Sequence, residues 1–176
     1  MGVRFADGTG NEMVNYILGF KKLSYQTALF CDSDCTNINN RKQEFRDIDI
    51  KVIDSEDGYS IEQQVFKDAT WSMVKELIQI AINKIVDDGG KTTNDADKQI
   101  FETVNAQLND KMTYADNWYE EERDGLRMAL GIAAKKNEWY KRQTYGELMG
   151  RCILTSYSDL AEGCRLKHII DNISNW

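Results

Sequence analysis

The stretch TALFCDSDCTN, residues 27–37, carries the strongest structural signal in the chain. Its first five residues are mostly apolar, so they predict a strand at 27–31 that is buried on both faces. Asp32 and Asp34 follow this strand directly. Because residues two apart on an extended chain point the same way, both carboxylates are expected to leave the strand end on one side. Such adjacent like charges repel each other unless a cation lies between them, so the pair indicates a site for Mg²⁺ or Mn²⁺.

The first third of the sequence alternates short strands with helices. Apolar runs predict strands at 3–6, 27–31 and 48–53, separated by helices at 12–20 and near 38–46. Strands and helices in this order are typical of a parallel sheet with crossover helices. The predicted fold class is therefore α/β.

Helical periodicity replaces this alternation after Ser60. A helix opens at Ser60, and Thr70 can cap the next one. The later helices are expected at 70–86, 93–109, 114–136, 144–155 and 159–173. The sequence therefore predicts a parallel sheet accompanied by a large helical part.

Acidic residues follow each of the predicted strands. They are Asp7 with Glu12, then Asp32 with Asp34, and then Asp54, Glu56 and Asp57 with Glu62. A single acid at a strand end is an ordinary turn or capping residue. In open parallel sheets, however, ligands bind outside the carboxyl ends of the strands, where these clusters would converge. The pattern therefore predicts a divalent-metal site.

Composition narrows the classes of protein that remain. The 176 residues are 41% hydrophobic and 29% charged, as in soluble globular proteins. No apolar run approaches the roughly 20 residues of a membrane span, and the N-terminus lacks the pattern of a signal peptide. We therefore expect no membrane association and a cytoplasmic location.

The charge of the chain is unevenly distributed. The net charge of −7 argues against binding nucleic acid through the phosphate backbone alone. Residues 123–151, however, hold 7 basic side chains against 3 acidic ones. This segment could hold a polyanion if it folds back beside the acidic site, and a solvated helix surface explains the same charges equally well.

Cysteine, histidine and aromatic residues give weaker signals. The four cysteines, Cys31, Cys35, Cys152 and Cys164, form no CxxC pair, so we expect reduced thiols rather than a zinc site. The single histidine, His168, is expected to pack within a terminal helix. Aromatic residues at 118–119 and 139–140 could stack on bases, but their helical spacing favours the core.

Four segments of the sequence can be considered together: ADGTGNE at 6–12, CDSD at 31–34, DGYSIEQQVF at 57–66 and KNEWYKRQTYGEL at 136–148. Together they resemble the Toprim domain of topoisomerases, primases and OLD-family nucleases, most specifically the OLD-type, ATPase-associated branch. The resemblance covers essentially the whole chain and implies a Rossmannoid parallel sheet. Its implied divisions are a Toprim α/β core at 1–69, a helical insertion at 70–134, and a C-terminal helical segment at 135–176 that returns a basic motif to the site.

The resemblance also implies an activity, a metal-dependent nuclease that cleaves phosphodiester bonds in DNA. Two Mg²⁺ or Mn²⁺ ions bridged by Asp32 would activate water and stabilise the leaving oxygen. Asp34 would complete one metal shell with Asp7 and Glu12 beside it, and Glu62 would belong to the second ion. Lys141 would offset the charge of the transition state, with Lys136 and Arg142 as alternative choices.

The sequence departs from the family pattern in two places: in its first acidic motif and in the ATPase motif. Asp7 stands where the family usually has glutamate, and Glu12 is slightly displaced from the second acid. An ATPase domain precedes Toprim in OLD-family proteins, and this sequence has no GxxxxGK[ST] motif. We therefore expect an ATPase domain or subunit outside this sequence, and a homo-oligomer is a further expectation.

Two alternative functions fit the same residues. FCDSDCT also matches the DxDx[TV] signature of haloacid-dehalogenase-type phosphatases, in which the first Asp is the nucleophile and the second an acid–base. That family needs a later strand ending in further acids, whereas the sequence after Ile53 is mainly helical. The other alternative is a catalytically inactive Toprim-like interaction module, which the shorter side chain of Asp7 favours.

Overall fold

Two parallel strands form the sheet in the described part of the chain, residues 12–175 of a computed structural model. They are β1 (Thr27–Cys31) and β2 (Ile50–Asp54), and Cys31 pairs with Asp54. The strand expected at 27–31 is therefore confirmed, and the strand expected at 48–53 runs from Ile50 to Asp54 instead. The strand expected at 3–6 lies outside the described residues.

Short helices flank these strands along the chain. They are α1 (Glu12–Lys22), α2 (Thr36–Asn39) and α3 (Lys42–Asp47). Apolar residues of the helices and strands form one buried cluster, which comprises Val14, Ile17, Leu29, Cys31, Ile38, Phe45 and Ile50. Burial of this cluster holds the helices against the sheet, because removing apolar surface from water is the main favourable term in folding.

Strand β1 is not buried on both faces, so that expectation is wrong. Thr27, Leu29 and Cys31 are buried, whereas Phe30 between them is 48% exposed. The alternation arises because successive side chains of a strand point to opposite faces, and Leu29 and Cys31 belong to the buried cluster on one of them.

Helices dominate the rest of the described chain. They are α4 (Ile61–Asp68), α5 (Trp71–Gly89), α6 (Thr93–Asn105), α7 (Leu126–Lys136), α8 (Gln143–Thr155), a short 3₁₀ helix (Tyr157–Asp159) and α9 (Arg165–Ser174). The described chain is thus mixed α/β and mostly helical, as expected. No helix within residues 12–175 combines the length and the apolar composition needed to cross a membrane.

The described residues divide into two compact units. One, here called the α/β unit, comprises residues 12–61 and 168–175. The other, the helical unit, comprises residues 62–167. The family resemblance implies a different division, with boundaries after residues 69 and 134, and that division stays a prediction.

The long helix α5 is the centre of the helical unit. Thr70 caps it as expected, because its side-chain oxygen accepts a hydrogen bond from the Met73 N–H at 3.4 Å. Gly90 ends it with a left-handed φ of 61°, a conformation that glycine adopts without strain. Leu77 and Ile78 are fully buried, so this helix supplies much of the core.

Residues 114–125 are not helical, so the helix expected at 114–136 is wrong in its first half. Helix α7 begins only at Leu126. In the preceding loop, Tyr114 Oη and Trp118 Nε1 donate to the buried carboxylate of Asp97 at 2.8 and 3.1 Å. These tertiary hydrogen bonds, together with the left-handed Gly125, override the local helical pattern.

Buried aromatic residues confirm one expectation, and the histidine contradicts another. Trp118, Trp139 and Tyr140 are each no more than 5% exposed, so they belong to the core as expected, whereas Tyr119 is only partly buried. His168 is exposed and does not pack, because Leu166 and Ile169 occupy the buried positions of α9.

Candidate metal site

An open cleft of about 540 Å³ lies at the carboxyl end of β1. Asp32 and Asp34 both line it, together with Met13, Phe30, Cys31, Cys35 and Ile61. Asp34 is exposed and Asp32 is partly buried. The structure therefore brings the two predicted carboxylates to one cleft, with a mainly apolar rim.

The Asp32 carboxylate is held by the backbone at the start of α4. Its Oδ1 accepts a hydrogen bond from the Ile61 N–H at 2.7 Å. A carboxylate is stabilised at this position because the first N–H groups of a helix have no partner within the helix. One oxygen of Asp32 is thus oriented by the protein itself.

Ser33 ties the loop after β1 to the loop after β2. Its N–H donates to Ser55 Oγ at 3.0 Å, and its own hydroxyl accepts from the Tyr59 N–H at 3.0 Å. Asn39 Nδ2 donates to the Ser33 carbonyl at 2.5 Å. Ser33 was not among the residues predicted to belong to the site. No local pattern singles out Ser33, because its partners Ser55 and Tyr59 are 22 and 26 positions away along the chain.

Asp54, the acidic residue at the end of β2, forms an ion pair with a lysine of the same unit. Asp54 is 7% exposed, and Lys42 Nζ lies 2.6 Å from its Oδ2. The same Nζ lies 3.9 Å from the fully exposed Asp57. Lys42 was missed by the sequence analysis, and it gives Asp54 an ion-pairing role in the α/β unit.

Of the remaining predicted ligands, Glu12 belongs to the described α/β unit, and it does not line this cleft. Glu12 is exposed on α1 and accepts a hydrogen bond from Asn15 at 3.2 Å. Asp7 lies outside the described residues, and Glu62 belongs to the helical unit. Among residues 12–175, no group of three or more His, Cys, Asp or Glu side chains is arranged to hold a metal ion. The full two-ion ligand set therefore stays a prediction.

The predicted catalytic lysine is a solvent-accessible cation of the helical unit. The Lys141 side chain is 72% exposed, and its Nζ lies 2.5 Å from Glu138 Oε1. This hydrogen bond raises the pKa of Lys141, so the amine is charged at neutral pH. Its neighbour Arg142 pairs with Asp88 at 2.5 Å.

The described cysteines are free thiols. Burial, and next the nearby Asp54 carboxylate, raise the pKa of the Cys31 thiol to about 12. Because the thiolate is the nucleophilic form, the protonated Cys31 thiol is a poor nucleophile at neutral pH.

Comparisons of the chain with protein-family models, curated proteins and solved structures returned no match. The resemblance to Toprim domains therefore rests on the sequence motifs alone.

Proposed function

We propose that this chain is a Toprim-like, metal-dependent nuclease that cleaves phosphodiester bonds in DNA. The observation that supports this most is the Asp32–Asp34 pair, which lines an open cleft at the carboxyl end of a parallel strand. Ligand sites in parallel α/β sheets occur at this edge. The Rossmannoid form of the sheet is part of the proposal.

The donor set at the cleft fits a hard divalent cation. Mg²⁺ is usually bound through one or two carboxylates, with water and substrate phosphate in the remaining positions. Asp32 and Asp34 would hold the ion, and the open side of the cleft leaves room for a phosphate group. A bound ion would supply a Lewis acid for phosphodiester hydrolysis.

The side chains of the protein would bind the ions and stabilise the transition state. Asp32 is oriented through its bond with Ile61, so its carboxylate needs little reorganisation on binding a cation. We propose that Asp7, Glu12 and Glu62 supply the further ligands needed to bind two metal ions. Lys141 acts on the charge that develops in the transition state.

The partner, the cellular location and the oligomeric state of the protein are also part of the proposal. An ATPase domain or subunit would act with this chain on a DNA substrate in the cytoplasm, as in the OLD-type branch. A homo-oligomer is the expected assembly.

The proposal is tested by measuring Mn²⁺ binding and the nicking of supercoiled plasmid with the same protein. We expect wild-type protein to bind Mn²⁺ by isothermal titration calorimetry and to nick plasmid faster with Mn²⁺ than with Mg²⁺. Mn²⁺ tolerates imperfect ligand geometry better, and Asp7 is shorter than the expected glutamate. Asp34→Asn should lose metal-dependent nicking and bind Mn²⁺ more weakly while the fold stays intact.

Asp49→Asn is the matched control, because Asp49 is 97% exposed in the same unit and asparagine tolerates its φ of 55°. Wild-type protein that binds no Mn²⁺ and leaves plasmid intact would overturn the proposal. Rapid hydrolysis of p-nitrophenyl phosphate without plasmid nicking would indicate the phosphatase alternative. Binding of DNA without cleavage at any metal concentration would indicate the inactive module.

The role of Lys141 is tested separately. Lys141→Ala should bind Mn²⁺ with unchanged affinity, because lysine is not a ligand, yet turn over at least about tenfold more slowly. Lys136→Ala and Arg142→Ala test whether the lysine has been chosen correctly. A normal turnover rate for Lys141→Ala would remove this residue from the proposal and leave the acidic pair.

A further inference from the structure

The serine between the two aspartates is the most enclosed residue of the loop after β1. Ser33 is 1% exposed, whereas Asp32 is partly buried and Asp34 is exposed. Ser33 and Asp34 lie in a turn directly after β1, so the position of Ser33 in this turn also fixes the backbone that carries the two flanking carboxylates.

Each polar group of Ser33 contacts the surrounding loops. Its N–H lies 3.0 Å from Ser55 Oγ and 3.2 Å from the Tyr59 carbonyl. Its hydroxyl accepts from the Tyr59 N–H and lies within donating distance of the Glu56 and Tyr59 carbonyls. Its carbonyl accepts from Asn39 Nδ2. A buried residue with satisfied polar groups resists movement, because any shift would leave a buried donor or acceptor without a partner.

The same segment after β2 also holds Asp32. Ile61, which donates to Asp32 Oδ1 at 2.7 Å, follows directly after the loop that contacts Ser33. Ser55 is 2% exposed and its hydroxyl lies 2.5 Å from the Tyr59 carbonyl, so the receiving loop is itself fixed. The residue between the two acids and one carboxylate oxygen of Asp32 are thus held by the same segment after β2.

We infer that Ser33 is a positioning residue, which sets the Asp32 and Asp34 carboxylates for a divalent cation by anchoring their loop to Ser55 and Tyr59. This inference rests on the proposed function. Outer-shell groups that orient metal ligands act through preorganisation, and their removal weakens metal binding although they never touch the ion.

The test compares the Mn²⁺ affinity of folded wild-type, Ser33→Ala and Ser55→Ala proteins by isothermal titration calorimetry. Both variants should bind Mn²⁺ about 10–100-fold more weakly, because each removes part of the anchor of the ligand loop. In the nicking assay the Mn²⁺ concentration for half-maximal rate should rise by a similar factor, while the rate at saturating Mn²⁺ recovers. A residue with a merely structural role would lower the melting temperature and leave Mn²⁺ affinity unchanged.

Thr27→Val is the matched control at the opposite end of β1. Among the described residues, the Thr27 hydroxyl is buried and makes no hydrogen bond, so its loss should leave Mn²⁺ affinity unchanged. If Ser33→Ala fails to fold, Ser55→Ala carries the test, because it keeps the Ser33 side chain. Normal Mn²⁺ affinity in a folded Ser55→Ala protein would overturn the inference while the proposed function stands. Absence of Mn²⁺ binding in the wild type would instead overturn the proposed function.

Discussion

The core of the helical unit and the carboxyl edge of the sheet in the α/β unit are held by different interactions. In the core of the helical unit, the apolar residues Leu77, Ile78 and Leu130 are completely buried. At the carboxyl edge of the sheet, the polar residues Ser33, Asp54 and Ser55 are each no more than 7% exposed. Apolar packing is non-directional, whereas hydrogen bonds and ion pairs fix particular atoms. Apolar packing therefore stabilises the helical unit without fixing single atoms, whereas the polar contacts at the strand edge hold particular side chains in place.

The largest effect is expected in the apolar core of the helical unit. Trp139 is 2% exposed, so Trp139→Ala should lower the free energy of unfolding by about 3–5 kcal/mol. Urea denaturation followed by far-ultraviolet circular dichroism measures this change. Leu154, 60% exposed on α8, is the control, and Leu154→Ala should change stability by less than about 0.5 kcal/mol. Equal effects of the two substitutions would contradict the view that apolar packing stabilises this unit.

Two glycines of the same unit give a sharper test of close packing. A Cβ at Gly131 would lie 2.7 Å from the Gln63 Cα, so Gly131→Ala should cost about 1–3 kcal/mol of stability. A Cβ at Gly150, inside α8, would meet nothing within 4 Å. Gly150→Ala should therefore stabilise the protein by about 0.5–1 kcal/mol, because alanine loses less backbone entropy in a helix. Thermal unfolding distinguishes the opposite signs, and a shared sign would count against the packing seen at Gly131.

A smaller effect is expected from the ion pair of the α/β unit. Lys42→Met leaves the 7% exposed Asp54 without its closest cation and should lower stability by about 1–2 kcal/mol. Lys21→Met breaks the pair with Asp49, a carboxylate that is 97% exposed, and should cost about 0.5 kcal/mol or less. The two values are compared by urea denaturation at one ionic strength. An equal loss for both pairs would show that burial of Asp54 does not strengthen its pairing.

The smallest change in stability is expected from two titrating groups of the helical unit, and it becomes measurable only at alkaline pH. The hydrogen bond to Asp87 raises the pKa of Tyr145 to about 12, and burial raises that of Cys152 to about 12. Because the folded state holds these protons more tightly than the unfolded state, their contribution is complete below the unfolded pKa values of about 9 to 10. It should disappear as the pH rises toward 12.

Urea denaturation across this alkaline range measures the loss, and Tyr145→Phe should make the pH dependence less steep. Tyr16→Phe is the control, because Tyr16 is 51% exposed in the α/β unit. An unchanged slope for Tyr145→Phe would contradict the role of its hydrogen bond.

Local patterns predicted the elements whose signals are short in range. The strand at 27–31 and the Thr70 cap were recoverable because each depends on residues adjacent in sequence. The strand-end position of Asp32 and Asp34 was equally local. The false helix at 114–125 and the exposed His168 were not recoverable, because the first depends on hydrogen bonds to the distant Asp97 and the second on which face of α9 is covered.

By itself, the sequence determined the mixed α/β class, the parallel arrangement of the strands and the presence of two carboxylates after β1. These properties follow from the order and periodicity of side chains. Only the tertiary structure decided that Ser33 bonds to the loop after β2, that Lys42 pairs with Asp54 and that Asp32 accepts a hydrogen bond from the Ile61 N–H. These contacts join residues that are 12 to 29 positions apart, so they exist only after the chain has folded and no local pattern encodes them.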